Sequence, residues 1–219
     1  PRLPLLPRHV GDLRLAVIMD EFTFSSYGPC CSVEQLLPST WREQLDAFVP
    51  HILFIESAWQ GKEGAWQGKV VHSSPELEGI LAWCRERRIP TVFWNKEDPV
   101  HFETFVGFAQ RFDYVFTTDI DCIGRYKAAL GHDRIFLLPF ACQPLNHNPI
   151  EKYERKDAFC FAGAYYARYP ERQRDFDVFI DTLSVMAPVE RGDRNHFKYH
   201  PEYMFPERYR ELILGNLTV

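Results

Sequence analysis

The feature that most constrains this sequence is an alternation. Short apolar runs end abruptly in polar or ionisable side chains, and stretches of helical period separate them. Leu13–Met19, Ile52–Ser57, Thr91–Trp94, Tyr114–Thr118 and Arg134–Pro139 are near-continuous hydrophobic runs. Strands covered on both faces read this way, whereas half-exposed strands alternate. Between them, Thr40-Trp-Arg-Glu43 fits a capping box at the head of a helix reaching Pro50. Pro75–Arg88 sets Leu77, Ile80, Leu81 and Cys84 on one stripe and places arginines at its C-terminal end. Val100–Gln110 and Asp121–Leu130 read as further helices, the second closed by Gly131. Before the first, Asn95–Asp98 reads as a polar cluster at a strand end, or as an ordinary loop in which Asp98-Pro99 merely starts the helix with proline at its first position. Leu36–Pro38 is expected as a short strand and the Ser-, Gly- and Pro-rich Phe22–Cys31 as a loop. With little hairpin chemistry present, the expected fold is α/β, a doubly wound, mostly parallel Rossmann-like sheet.

At 219 residues the chain is long enough for one large domain and part of another. A Rossmann-like domain is expected over 1–145, a polar, proline-bearing linker over 146–157, and the beginning of a second domain over 158–219. In that second part, Ala158–Gly163 and Val185–Val189 read as strands and Pro170–Leu183 as a helix. Arg191–Pro206 is aromatic and charged without a period, its Phe197–Tyr209 aromatics suiting an exposed interface, and Tyr209–Leu214 is apolar. The net charge of -5 argues against a nucleic-acid-binding surface. No run approaches the roughly 20 apolar residues that span a bilayer. Prolines stand in Pro1–Val10 where a signal peptide would have its apolar region, so a cytoplasmic location is expected. The chain opens on Pro1 and not on Met, and is expected to begin inside a longer protein. Its six cysteines include no C-x-x-C pair, which predicts reduced thiols and no metal site, with Cys84, Cys122 and Cys160 in apolar settings.

Polar groups mark four strand ends: Asp20/Glu21, Glu56/Ser57, Asn95–Asp98 and Thr117–Asp119. In a parallel sheet these ends share one edge, so they are expected to line one crevice. Carboxylates and amides there would hydrogen-bond the hydroxyls of a polyhydroxylated ligand, and Trp59 or Trp94 would stack on a sugar face. Asp20, Glu56, Glu97, Asp98 and His101 are the candidate catalytic groups, any general base coming from among them. Glu21, Ser57, Trp59, Asn95, Lys96, Thr118 and Asp119 are the candidate acceptor-binding residues. Further on, Gly163, Tyr165, Arg168 and Arg172 lie between a strand and a helix, where glycine, a helix N-terminus and guanidinium groups suit a phosphate. A plain glycine turn with solvated arginines, and tyrosines in a core, fits the same spacing. A dinucleotide-dependent dehydrogenase fits poorly, because Asp20-Glu21 stands where such a site needs glycines.

The strings Val17-Ile-Met-Asp-Glu-Phe22, Glu56-Ser-Ala-Trp59, Phe93-Trp-Asn-Lys-Glu-Asp-Pro99, Asp113-Tyr-Val-Phe-Thr-Thr-Asp119 and Phe161-Ala-Gly163 resemble the CgeB-like (spore-maturation-type) glycosyltransferases. The resemblance runs from about Leu13 onward, and Asn95–Pro99 is its most specific part. It implies a GT-B architecture of two Rossmann-like domains. The first would bind a glycan or other hydroxyl-bearing acceptor, and the second a nucleotide-sugar donor, with no metal or other cofactor. Gly163 and the arginines after it would stand near the donor diphosphate. The family's Glu- and Gly-rich donor segment lies beyond the length present, so the chain is expected to be a fragment that binds without turning over. A non-catalytic Rossmann-like module binding a glycan or a protein is the alternative.

Overall fold

The computed structural model describes residues 7–72, 74–148, 150, 157–162, 165–192 and 213–214. The chain divides into two compact units, Pro1–Pro149 and Ile150–Val219.

The first unit is built on a six-stranded sheet. Its strands are β1 (Arg14–Ile18), β2 (Ser32–Gln35), β3 (Ile52–Glu56), β4 (Thr91–Asn95), β5 (Tyr114–Thr117) and β6 (Ile135–Leu137), in the order β2-β1-β3-β4-β5-β6. Every neighbouring pair is parallel. The helices are α1 (Glu21–Tyr27), α2 (Trp41–Phe48), α3 (Lys69–His72), α4 (Pro75–Arg87), α5 (Phe102–Ala109) and α6 (Cys122–Leu130). The sheet is flanked by helices and Rossmann-like.

Successive side chains of each strand go to opposite faces. Ala16, Ile18, Leu53, Ile55, Phe93, Val115 and Ile135 pack on one face, with Leu45 of α2, Leu77, Ile80 and Cys84 of α4, Phe105 of α5 and Tyr126 of α6. Leu15, Val17, Met19, Phe54 and Trp94 point the other way, under Phe24 and Tyr27 of α1. At roughly 1.5–3 kcal/mol for each fully buried large apolar side chain, the larger face dominates the folding energy.

Helix α4 shows how local chemistry sets its bounds. Ser74 caps it, its hydroxyl oxygen accepting from the Leu77 amide at 3.3 Å, with Pro75 in the first turn. Arg88 ends it in the left-handed conformation at φ 57°. Mid-helix, Gly79 lets α4 approach α2: a Cβ there would lie 2.7 Å from the Trp41 ring.

Several expectations are corrected. Phe22–Cys31 is a helix, α1, followed by a 3-10 turn at Gly28–Cys30. Phe24 and Tyr27, three apart, pack against the sheet, and that tertiary contact overrides the loop-like composition. The strand expected at Leu36–Pro38 lies earlier, at Ser32–Gln35, because the Leu37 amide is taken by Gln44 Oε1 at 2.8 Å. Gln44 also replaces the capping box: Thr40 makes no cap bond, and its hydroxyl donates to Gln44 Oε1 at 3.2 Å. Pro99 is not the first residue of α5. It sits in a turn with a cis Asp98–Pro99 bond, and α5 begins at Phe102. The segment after β6 is held to α1, Gln143 being buried with its side-chain amide donating to the Ser26 carbonyl at 2.8 Å.

In the second unit β7 (Phe159–Ala162), β8 (Val189–Gly192) and β9 (Ile213–Leu214) form a parallel sheet in that order. The helix α7 runs Pro170–Met186, so Val185 and Met186 end a helix, and the strand expected from Val185 begins at Val189. Tyr165, Ile180 and Val189 form the buried cluster of this unit. Cys84 and Cys122 are buried as expected, but Cys160 is exposed. The aromatic stretch 197–209 lies outside the described residues.

Candidate functional site

The strand order reverses between β1 and β3: from β1 the chain moves outward to β2, then returns past β1 to β3 and continues to β6. In open parallel sheets the loops leaving neighbouring strands at such a point turn to opposite faces and leave a crevice at the carboxyl edge. Asp20 follows β1, Glu56 ends β3 and Lys96 follows β4, so these three stand at this reversal.

They form one ionic cluster. Lys96 Nζ donates to Asp20 Oδ2 at 2.8 Å and to Glu56 Oε1 at 2.9 Å. The Asp20 amide donates to the same Glu56 oxygen at 2.6 Å. Asp20 also accepts from three successive amides of the loop after β3: Trp59 at 3.1 Å, Gln60 at 2.9 Å and Gly61 at 2.7 Å. This explains why Asp20, at the N-cap position of α1, makes no side-chain cap bond. The Lys96 amide donates to the hydroxyl of buried Ser57 at 3.0 Å, tying the β3 and β4 loops together.

The electrostatics are uneven. Burial works to raise the Asp20 carboxyl, but the Lys96 ammonium and the Gln60 and Gly61 amides outweigh it, and the net is a lowering. For Glu56 burial wins over Lys96, Thr23 and the Asp20 amide, and its carboxyl is raised. Burial alone would lower Lys96, but the two carboxylates reverse this and hold it raised. Glu56 Oε2 and Thr23 Oγ1 are both buried with no hydrogen bond of ordinary geometry. Thr23 was missed in the sequence; its position three residues after Asp20, on one helix face, is the signal that could have found it.

These shifts give a pH prediction. A carboxyl raised by folding contributes stability that is fully present below its unfolded value, here 4.5, and is lost as the pH rises through the folded value. Glu56→Gln removes that loss. The urea midpoint of the variant is expected to gain progressively on that of the wild type from pH 5 to pH 8. A constant difference across that range would contradict the assignment.

A second network joins the ends of β4 and β5. Asn95 Nδ2 donates to Asp98 Oδ1 at 2.7 Å and to the Tyr126 hydroxyl at 2.9 Å, while the Thr117 hydroxyl donates to Asp98 Oδ2 at 2.6 Å. Burial raises Asp98 despite Thr117, Tyr126 and Arg125, and Asp119 adds to the rise. The Thr118 hydroxyl reaches the carbonyls of Asp98 at 3.3 Å and Lys96 at 3.5 Å. Asp119 turns its Oδ1 to the Asp121 amide at 2.8 Å. Tyr126, fully buried in α6, adds its hydroxyl to this network, a contact that its place in a helix does not reveal in the sequence.

The ring side chains separate. Trp94 is 1% exposed, with its indole N–H on the Leu138 carbonyl at 3.0 Å, so it is core and not a sugar platform. Trp59 is 38% exposed and meets His101 edge-on at 5.0 Å between ring centres. Glu97 is half-buried, its amide donating to Asn95 Oδ1 at 3.2 Å. Glu21 is exposed in the first turn of α1 and makes no bond to either network. Phe22 and Phe140, unforeseen, are both exposed and meet edge-on at 5.9 Å.

Gly61 holds the Asp20 loop in shape. Its backbone, at φ 65° and ψ -166°, is a conformation essentially confined to glycine. An added Cβ would lie 2.6 Å from the fully buried Trp66 ring. Gly61→Ala is expected to cost about 2–4 kcal/mol, read as a shift of the urea midpoint.

In the second unit Tyr165 is core. The Arg168 guanidinium lies 4.9 Å above the Tyr169 ring, and that of Arg172 lies 4.4 Å from Tyr166 and 6.0 Å from Tyr169, so the two arginines flank one tyrosine. A cavity of about 320 Å³ is bordered by Phe161, Tyr166, Arg172 and Phe176. Gly163 lies outside the described residues. Among the described residues no group of three or more His, Cys, Asp or Glu is placed to hold a metal ion, and no helix is long and apolar enough to cross a membrane. Compared with known proteins, the chain matches no family model, no curated protein and no solved structure.

Proposed function

We propose that this chain belongs to a GT-B-type glycosyltransferase that moves a sugar from a nucleotide donor to a hydroxyl acceptor, with acceptor-binding residues in the first unit and donor-binding residues in the second. The observation that carries the reading is the concentration of polar groups at the β1/β3 reversal, next to the half-exposed Trp59. The resemblance of the Asn95–Pro99 string to the CgeB-like glycosyltransferases supports it. In this reading Asp20, Glu56 and Lys96 are positioning residues. Glu56 is wholly buried, and the Asp20 carboxylate already accepts from four donors. Trp59 offers a ring to the apolar face of a sugar, and Thr118 and Asp119 bond its hydroxyls.

His101 or Glu97, the candidate groups on the open side, takes the acceptor proton. The acceptor oxygen then bonds to the sugar's anomeric carbon as the bond from that carbon to the diphosphate breaks, and the negative charge leaves with the nucleotide. In the second unit, considered by itself, Arg168 and Arg172 are the candidates for binding a donor diphosphate. Calorimetric titration with an oligosaccharide panel and with UDP-, GDP-, TDP- and CDP-sugars tests the proposal. Expected is saturable binding of at least one oligosaccharide, weakened tenfold or more by Trp59→Ala, together with binding of at least one nucleotide sugar. No binding from either panel would contradict it.

A second reading, a non-catalytic glycan-binding module, is favoured by the way Asp20, Glu56 and Lys96 satisfy one another and leave little ionisable chemistry free. Oligosaccharide binding with no nucleotide-sugar affinity would select that reading.

A further inference from the structure

At the opposite, amino edge of the first sheet lies a cleft of about 510 Å³, a volume that suits a small-molecule ligand. Four arginines border it, from separate parts of the chain: Arg85 and Arg88 at the end of α4, Arg111 after α5, and Arg134 ahead of β6. Basic residues closing a helix are ordinary complements to its dipole, which accounts for Arg85 and Arg88. It does not account for Arg111 and Arg134 converging on the same hollow.

The charges there are largely unspent. Arg111 pairs with Glu78. Arg134 is fixed by its Nε on the Asp113 carbonyl at 2.6 Å, and its terminal nitrogens have no partner among the described residues. The Arg85 and Arg88 side chains make no hydrogen bond or ion pair among the described residues. Asp113, the one carboxylate of the lining, is turned to Thr91, whose amide and hydroxyl both donate to its Oδ2 at 2.9 Å. A net-acidic chain of charge -5 therefore carries a concave spot of positive potential.

We infer that this cleft binds a diphosphate-bearing small molecule of nucleotide size. Forked guanidinium groups take phosphate oxygens two at a time, and more than one fork within one hollow suits an oligophosphate better than a single carboxylate. This site is separate from the candidate site at the carboxyl edge and does not depend on glycosyl transfer.

The test is calorimetry at low and at roughly physiological salt, where the Debye length is about 8 Å, with inorganic pyrophosphate, ADP and adenosine as probes. Pyrophosphate and ADP are expected to bind saturably and to weaken with salt, and adenosine not to bind. Equal affinity for both would mean recognition of the phosphates alone, and tighter ADP binding recognition of the nucleoside as well; either supports the inference. The double variant R85Q/R88Q is expected to lower affinity at least tenfold with an unchanged urea midpoint. R42Q/K127Q, which removes the same charge elsewhere, is expected to change it less than twofold. Unsaturable heats, a response in R85Q/R88Q no larger than in R42Q/K127Q, or loss confined to R168Q/R172Q would each overturn the inference.

Discussion

Lys96→Met is expected to destabilise the first unit by about 3–5 kcal/mol, the cost typical of removing one partner from a buried ion pair. The Lys96 side chain is 8% exposed and the Glu56 side chain 0%, so water cannot take over the lost contacts. Methionine fills much of the volume but leaves Glu56 Oε1 with only the Asp20 amide, and leaves Asp20 and Glu56 facing each other without the cation. Without the ammonium, the raised Glu56 carboxyl rises further and Asp20 loses the largest of the influences that lower it. The loss is therefore expected to grow from pH 5 to pH 8, the window above the unfolded carboxyl value of 4.5 for Glu56. Adding Glu56→Gln to Lys96→Met should restore more than half of it. Urea midpoints of the two variants at both pH values check this, and a pH-independent loss would argue for packing alone. In the wild type the raised Lys96 works on the alkaline side. Its contribution is fully present below its unfolded value of 10.5 and is lost as the pH rises through the folded value.

Asp20→Ala is expected to act on order as well as stability. It removes the shared acceptor of the Trp59, Gln60 and Gly61 amides and leaves Lys96 with Glu56 alone. Hydrogen bonds to charged groups contribute about 1.5–3 kcal/mol each when shielded. Trp59 and Gln60 are exposed and can turn to water, so the net cost is set near 2 kcal/mol, below the sum. The sharper readout is hydrogen exchange: the amides of Trp59, Gln60 and Gly61 should lose protection together, while those of β3 keep theirs. Unchanged protection in that loop would mean that Asp20 does not hold it.

What the sequence made legible was periodic. Continuous apolar runs located β1, β3, β4 and β5, and the polar residues at their ends fell on one edge because all these strands are parallel. What it hid was tertiary. Nothing local in Glu21–Tyr27 announces a helix, because its stability comes from Phe24 and Tyr27 lying on the sheet. Nothing local reveals that Asp20 and Lys96, 76 positions apart, are ion-paired, or that a tyrosine of α6 completes the Asn95–Asp98 network. The two tryptophans offered as sugar platforms were equivalent in sequence. Only the pleat of β4, which turns Trp94 into the core beneath Tyr27, separates it from Trp59. The carboxylates divide the same way: burial of the whole β3 end makes Glu56 a scaffold, while Glu97 stays partly open.

The central claim is that the carboxyl edge at the β1/β3 reversal receives a polyhydroxylated ligand. Backbone amide chemical-shift mapping of the chain, titrated with the tightest-binding oligosaccharide of the panel, tests it most directly. Shifts are predicted to concentrate in Trp59–Gly61, Lys96–His101 and Thr118–Asp119. Shifts confined to the amino edge of the sheet, or to the second unit alone, would contradict it.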